Sequence, residues 1–468
     1  MKWHIILIGT LIILSAMTFI AGGGFSHDVM GLRVKRFSNT TYPDGNSVNN
    51  LTMIYDPLVN YPYMLFWDEA EDYTYHSHSY KTHEIMISAS SDFVNWTGHK
   101  ADIVVSMEDG TNASSPDAAV NPKNGEIYLV WSEKNKTSGY YEIYMGRSDD
   151  GVNWTSKIKN EVISDYTSSA VENCTKPAVA VSDDGYVHVV WLGYNSTTKS
   201  TEVYYGSNTS ADAWSSLNAD IPISVEDSNS AMSVDIVATA GSSPRVWVFW
   251  TEYEVSDGAY AVYAANSTYP YKKWNTTMIG SDVGHSAYNV TATVYKGNIY
   301  VFWEQEVDES GKTVKEIAGK YFDGNAWNNA AVNSEIVSFE DGHNATHPKA
   351  SFGAYGVFVV WDEFDENHSC REVMISNSTG NGEWSGRNRD ILITTDDSGN
   401  KEPQVYVSDA GEIYLAWLHW TEETKQRGSW DGFSLCASVG EVIPEMELLY
   451  AIPAVVVLVY AFGKRKRN

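Results

Sequence analysis

Cysteine is nearly missing, with three in 468 residues, at Cys174, Cys370 and Cys436. Three are too few for a disulfide framework, and at least one stays unpaired. Basic residues are scarce as well: 32 Lys and Arg stand against 60 Asp and Glu, a formal charge of -28. That balance repels phosphate backbones and argues against nucleic acid as a partner. No long stretch carries helical apolar periodicity. The chain also lacks a Gly-x-Ser-x-Gly elbow, a His-Glu-x-x-His helix, a phosphate loop and an EF-hand loop. Those absences remove the sequence signatures of several hydrolase, metalloprotease, nucleotide-binding and calcium-sensing classes.

What the chain does have is β-forming composition: 30 Tyr, 17 Trp, abundant Val and Ile, and 35 Gly for turns. One pattern recurs, an aromatic strand ending in tryptophan: "YMLFW" at Trp67, "IYLVW" at Trp131, "VHVVW" at Trp191, "VWVFW" at Trp250, "IYVFW" at Trp303, "VFVVW" at Trp361 and "IYLAW" at Trp417. Successive tryptophans lie 53 to 64 residues apart, a period that marks repeated supersecondary units. Each unit holds further strands. One precedes the Trp strand across a tight turn ("KPAVAVSDDGY"), one follows it ("EIYMGRS", "EIMISAS"), and a fourth has an acidic-Ile flavour ("DIVVS", "DIPIS").

Four antiparallel strands in each of seven units predict an all-β, seven-bladed β-propeller over residues 30–438. The last unit runs out after "FSLCAS", and the unassigned N-terminal segment 32–38 is expected to supply its fourth strand and close the ring.

After the third strand comes "SDDGVNWT". Ser148, Asp150, Gly151 and Trp154 resemble the Asp-box of the sialidase-like and BNR-repeat propellers, and Asp92 and Trp96 lie in a second good copy. Ser and Asp side chains can bond turn amides, Gly allows positive φ, and Trp covers the sheet edge. These residues are therefore read as scaffold, with no catalytic or metal role. The resemblance implies that ligands bind on the opposite face, formed by the loops after the Trp strands and those leading into the innermost strands.

On that face an acid often stands two positions after the tryptophan, at Glu69, Glu133, Glu252 and Glu363, with Glu304 and Glu306 flanking that position in the fifth unit. The other loops bring Asp117, Lys176, His285, His347, Lys349, Lys401 and Glu402 to the start of the inner strands. Together these are expected to line the channel mouth. Such a carboxylate ring could bind Ca²⁺ through hard oxygen ligands or supply the paired acids of a glycosidase. Alternatively, the acid is inherited with the repeat and stays solvated. His76, His78 and His83 form the densest histidine cluster, a transition-metal candidate or polar loop filler.

The resemblance also implies an arginine cluster, an Arg-Ile-Pro motif and a Tyr-Glu nucleophile in a true sialidase, because only a guanidinium fork holds a sugar carboxylate bidentately. There is no Arg-Ile-Pro here, and only Arg371 and Arg427 map to the ligand face. No catalytic residue is carried over.

The termini place the protein. Residues 1–25 read as a signal peptide or anchor. A linker, 439–445, leads to an apolar segment, 446–463, expected to be a transmembrane helix. The basic tail, 464–468, is held inside the cell by the positive-inside rule. The sequence from Pro444 resembles the C-terminal sorting signals of archaeal surface proteins, with Met446 in place of the usual aromatic or glycine.

Asn-x-Ser/Thr sites stand at Asn39, Asn50, Asn95, Asn112, Asn135, Asn153, Asn173, Asn195, Asn208, Asn266, Asn275, Asn289, Asn344, Asn367 and Asn377, which suggests a glycosylated ectodomain. The expectation is a membrane-anchored extracellular glycoprotein that binds a glycan or surface protein without catalysis. The alternative is a glycoside hydrolase or lyase using the ligand-face carboxylates.

Overall fold

The structure, a computed structural model, describes residues 35–36, 48–75, 78–99, 103–157, 161–164, 171–208, 214, 221–328, 334–367, 369–379, 383–388, 391–394, 399–419 and 431–438. The expected signal segment, linker, membrane helix and basic tail lie outside these residues, as do His76, Arg427 and Asn39 and the side chain of His78. No helix among the described residues is long and apolar enough to cross a membrane.

The chain folds into antiparallel sheets arranged around an axis. In a typical sheet the strands Ala113–Val120, Ile127–Lys134, Tyr141–Ser148 and Glu161–Val162 pair in sequence order. Six sheets have four strands. The seven four-stranded blades expected from the sequence are thus corrected to six. The remaining unit forms a sheet of three strands, Ala345–Gly353, Gly356–Asp365 and Cys370–Ser378. Among the described residues of its "DILIT" segment (390–394), Leu392 forms an isolated bridge to Met374, flanked by backbone hydrogen bonds from Ile375 to Ile391 at 3.0 Å and from Ile393 to Val373 at 2.8 Å.

The last sheet takes Lys35–Arg36 as its fourth strand, with Lys35 opposite Ser434 and Arg36 opposite Phe433. An aromatic seam joins that sheet to the first: Tyr55 stacks on Tyr406 at 4.6 Å and Tyr63 lies 4.6 Å from Tyr414.

The recurrent tryptophans form the core between sheets. Trp67, Trp131, Trp191, Trp250, Trp303 and Trp361 are among the largest fully buried side chains. Each packs within apolar clusters that combine residues of adjacent sheets, as Trp131 does with Phe66 of the sheet before it.

The Asp-box turns are held from within. Ser148 Oγ accepts the Gly151 amide at 2.9 Å, and Asp150 Oδ1 accepts the amides of Val152 and Asn153 at 2.8 and 2.7 Å. These bonds hold the Asp150 carboxyl down at about 2. Trp154 is buried against Phe66 edge-on, with ring centroids 5.5 Å apart. Asp92 repeats the arrangement on the amides of Val94 and Asn95, ahead of the buried Trp96. Gly151 has φ 72°, and Phe93 adopts φ 58° at the same place.

One hairpin depends on glycine. Gly356 has φ 128°, and a Cβ there would lie 2.0 Å from the Ser378 carbonyl oxygen on the third strand of its sheet. Gly356→Ala should therefore destabilise the fold by at least ~2 kcal/mol. An unchanged urea midpoint would show that this hairpin is looser than described.

Near the axis every inner strand breaks its ladder register. Positive φ appears there at Asn50, Ser115, Lys176, Asn289, His347 and Glu402. Ser115, Lys176, His347 and Glu402 precede proline, which itself restricts the backbone. Carboxylates of the preceding sheet hold several of these strained amides. Asp68 accepts from Ser115 N at 3.0 Å, Glu304 from His347 N at 2.9 Å, and Asp362 from Glu402 N at 3.1 Å. Glu402 then accepts from Asn50 N at 3.0 Å, which continues the series across the seam.

Candidate functional site

The acids two positions after the tryptophans do not form an open ring. Glu69, Glu133, Glu252 and Glu363 are at most 6% exposed. Each accepts the indole N–H of its own tryptophan, from Trp67 at 2.8 Å and from Trp131, Trp250 and Trp361 at 2.7 Å. Gln305 does the same for Trp303 at 3.0 Å. Strand side chains two apart share a face, so a residue at that position follows its tryptophan into the space between sheets. A buried indole N–H needs an acceptor. Where the repeat places Gly193 instead, the Trp191 N–H has no hydrogen-bond partner among the described residues.

A second set of buried glutamates completes this lattice. Glu84, Glu142, Glu202, Glu316 and Glu372 stand on the third strands, and each accepts a hydroxyl 22 residues later: Ser106, Ser164, Ser224, Ser338 and Thr394. The same hydroxyl accepts the amide of the residue following the glutamate, at 2.8 to 3.0 Å.

Glutamates of neighbouring sheets also act on one another, Glu84 with Glu133, Glu202 with Glu252 and Glu316 with Glu363. Burial first, with nearby like charges adding to it, pushes Glu84 up to about 8, Glu252 to about 7 and Glu316 to about 10, and Glu133, where the like charge is Asp109, to about 7.

Glu304 follows Trp303 by one and faces the other way. Its carboxylate holds the Asn289 amide at 2.5 Å and the Lys315 ammonium at 2.8 Å.

The axial end of the inner strands encloses a cavity of about 340 Å³, lined by Asp117, Lys176, Asp235, His347, Lys349 and Glu402 among others. Asp117, Asp235 and Lys349 occupy one repeat position, each opposite the residue before a tryptophan: Val130, Phe249 and Val360. The other sheets place Thr52, Ala178, Thr291 and Gln404 there.

Asp117 accepts the Val179 amide at 2.8 Å and the Thr52 hydroxyl at 3.3 Å. Asp235 accepts the Ala292 amide at 2.8 Å. Burial pushes Asp117 up to about 6 and raises Asp235, while the Lys349 ammonium acts against burial on both. Burial lowers the Lys176 ammonium, which donates to the Met232 carbonyl at 3.1 Å. His347 Nδ1 lies 2.7 Å from Asp362. Burial disfavours the imidazolium, but Asp362 outweighs it and raises the pKa.

The structure thus brings together Asp117, Lys176, His347, Lys349 and Glu402 of the sequence-predicted set. Lys401 stands beside them, paired with Glu402 at 2.9 Å. His285 lies apart, between Asp282 at 3.2 Å and Asp308 at 3.3 Å. His83 reaches Asp68 at 3.5 Å. Arg371 is committed to Asp362 and the Asn344 carbonyl. Cys174 lies within the core, and the Cys370 thiol donates to Glu372 at 3.2 Å. Among the described residues no group of three or more His, Cys, Asp or Glu could hold a metal ion. Sequence reasoning missed Asp235, although its place in the repeat is that of Asp117.

No family model and no curated protein matches the chain. Solved structures similar to it include the GH93 alpha-L-arabinofuranosidase of Fusarium graminearum, at 10% identity over 88% of this chain and 98% of that one, with a TM-score of 0.49. The NanB sialidase from Streptococcus pneumoniae is 12% identical over 92% and 72%, with a TM-score of 0.44. Hadza microbial sialidase Hz136 is 11% identical over 84% of this chain, which spans 66% of its length, with a TM-score of 0.43. Antiparallel sheets around an axis, with Asp-box turns at Ser148–Trp154 and Ser90–Trp96, make the chain a β-propeller in fold.

Proposed function

We propose that the chain is a binding propeller that takes a neutral or amino sugar of a glycan into the axial cavity. The observation that carries this reading is the cavity itself, where two desolvated acids, Asp117 and Asp235, share one repeat position with the Lys349 ammonium. Paired hydroxyls of a sugar match half-buried carboxylates that keep acceptor capacity. Aromatic surface adjoins the cavity. Tyr288 precedes the lining residue Asn289, lies 6.3 Å from Tyr260, and carries the Lys315 ammonium 4.0 Å above its ring. Tyr260 meets the exposed Tyr253 edge-on at 5.6 Å. Such rings suit the apolar faces of sugars.

In this reading the three-stranded sheet serves as the remaining blade of a seven-sheet ring. The propeller stands outside the cell, tethered through residues 446–463. Isothermal titration of the propeller with a panel of neutral oligosaccharides should detect binding that Asp117→Asn abolishes. Saturable binding left unchanged by Asp117→Asn would place recognition elsewhere.

A second reading, hydrolysis by Asp117 and Asp235, draws on the raised Asp117 carboxyl, since a general acid must hold its proton near neutral pH. Turnover of reporter glycosides that is lost in both Asn variants would favour it.

A further inference from the structure

The inner strands begin with a repeated latch. At five of the inner strands a side-chain oxygen immediately before a buried small residue accepts an amide from the N-terminal half of the third strand of the preceding sheet. Asn112 accepts from His83 N at 3.1 Å, Asn173 from Tyr141 N at 3.4 Å and Asn344 from Lys315 N at 2.9 Å. Ser230 and Ser286 do the same for Thr201 N at 3.1 Å and Tyr260 N at 3.3 Å. The three asparagines are exposed, and each opens an Asn-x-Ser/Thr sequence, completed by Ser114, Thr175 and Thr346. In all three the latch uses Oδ1, while Nδ2 donates no hydrogen bond among the described residues.

We infer that Asn112, Asn173 and Asn344 are the N-glycosylation sites of the ligand face, so that covalent glycans crown its rim at three of the inner strands. Glycosylation by a phosphate-activated glycosyl donor forms a bond from the sugar C1 to Nδ2 as the C1–O bond to the donor phosphate breaks; the phosphate leaves, one Nδ2 hydrogen is lost as a proton, and Oδ1 remains an acceptor, so the latch survives the modification. The other sequences divide on the same chemistry. Asn135, Asn195, Asn208 and Asn377 are buried. Both hydrogens of the Asn195 amide are used, on Tyr204 at 3.2 Å and Glu226 at 2.8 Å. Asn50 and Asn289 line the axial cavity and donate to Asp68 and Glu304. Asn95, Asn153 and Asn367 donate to Asp92, Asp150 and Asp365 of their own turns. Asn275, exposed on an outer strand, stands clear of the ligand face and is open to the same chemistry.

The rim then has two sectors. Where serine makes the latch, at Ser230 and Ser286, no glycan is attached, and Tyr253, Tyr260 and Tyr288 stand on that side. A ligand reaches the axial cavity across the tyrosines.

This inference rests on the reading of the chain as an exported protein. Glycopeptide mass spectrometry on the full chain isolated from its own cells tests it. Glycan is expected at Asn112, Asn173 and Asn344, and none at Asn50, Asn135, Asn195, Asn208, Asn289 or Asn377. Ser114→Ala, Thr175→Ala and Thr346→Ala should each remove one glycan mass while keeping the asparagine latch. Bare rim asparagines beside occupied buried ones would overturn the assignment. A chain with no glycan anywhere would overturn both the assignment and the export reading, while sugar binding by the unmodified propeller would still stand or fall on its own titration.

Discussion

Raising the pH from 5 to 9 should strip the propeller of stability on the order of 5 kcal/mol, a large share of what a folded protein has. The cause is the set of buried glutamates between sheets. In an unfolded chain these carboxyls titrate near 4.5; in the fold Glu133 and Glu252 hold their protons to about 7 and Glu84 to about 8. The folded state therefore binds more protons than the unfolded state across this window. Stability is fully present below pH 4.5 for these groups and is lost as pH rises through 7 and 8.

Two features work in the other direction. His188, buried and held neutral with its pKa down at about 3, withdraws stability below pH 6.5. The Asp-box carboxyls Asp92 and Asp150, at about 2, add stability that is lost only as pH falls through that value. The maximum should lie near pH 5. Urea midpoints at pH 5, 7 and 9 measure the slope, and Glu84→Gln with Glu133→Gln should flatten it. A midpoint constant or rising from pH 5 to 9 would mean that these glutamates are ionised in the fold.

Replacing Trp131 by alanine should cost ~4 kcal/mol, the scale for emptying a fully buried aromatic site. Part of that loss belongs to the indole N–H. Trp131→Phe keeps most of the apolar volume but removes the donor to Glu133 Oε2, and Glu133→Leu removes the acceptor. In a double-mutant cycle the two changes should couple by ~1 kcal/mol. At Trp191, which has Gly193 where others have an acid, Trp→Phe should be nearly free of any such polar loss. Equal effects of Trp→Phe at the two sites would remove the indole bond from the energetics.

The repeat was legible because the fold spends its largest apolar residue at the same place in every unit, and the Asp-box because its turn needs Ser, Asp and Gly at fixed offsets. Ring closure was legible from an unmatched strand at each end. The fourth strand of the Trp361 unit was not, since "DILIT" resembles its counterparts but its described residues, 391–394, pair at a single bridge.

The glutamates show where sequence reasoning lost the site. Position two after a tryptophan was assigned by its place at a strand end, near a loop, whereas the period of two already sends it to the indole's own side. The partner glutamates and their hydroxyls, 22 residues apart, connect two strands across a long loop, a distance that no local pattern flags. Asp117 and Asp235 share a repeat position, yet threonine, alanine, lysine and glutamine fill it in other units. Only the closed ring shows that these side chains converge.

Two double variants, measured side by side for retention on a surface of immobilised neutral oligosaccharides, separate the two sets of acids most directly. Asp117→Asn with Asp235→Asn should abolish retention at unchanged stability, and Glu133→Gln with Glu252→Gln should leave retention intact while shifting the pH of unfolding. Retention that survives the aspartate changes but disappears with the glutamate changes would contradict the assignment of recognition to the axis and of the indole-bound glutamates to the scaffold.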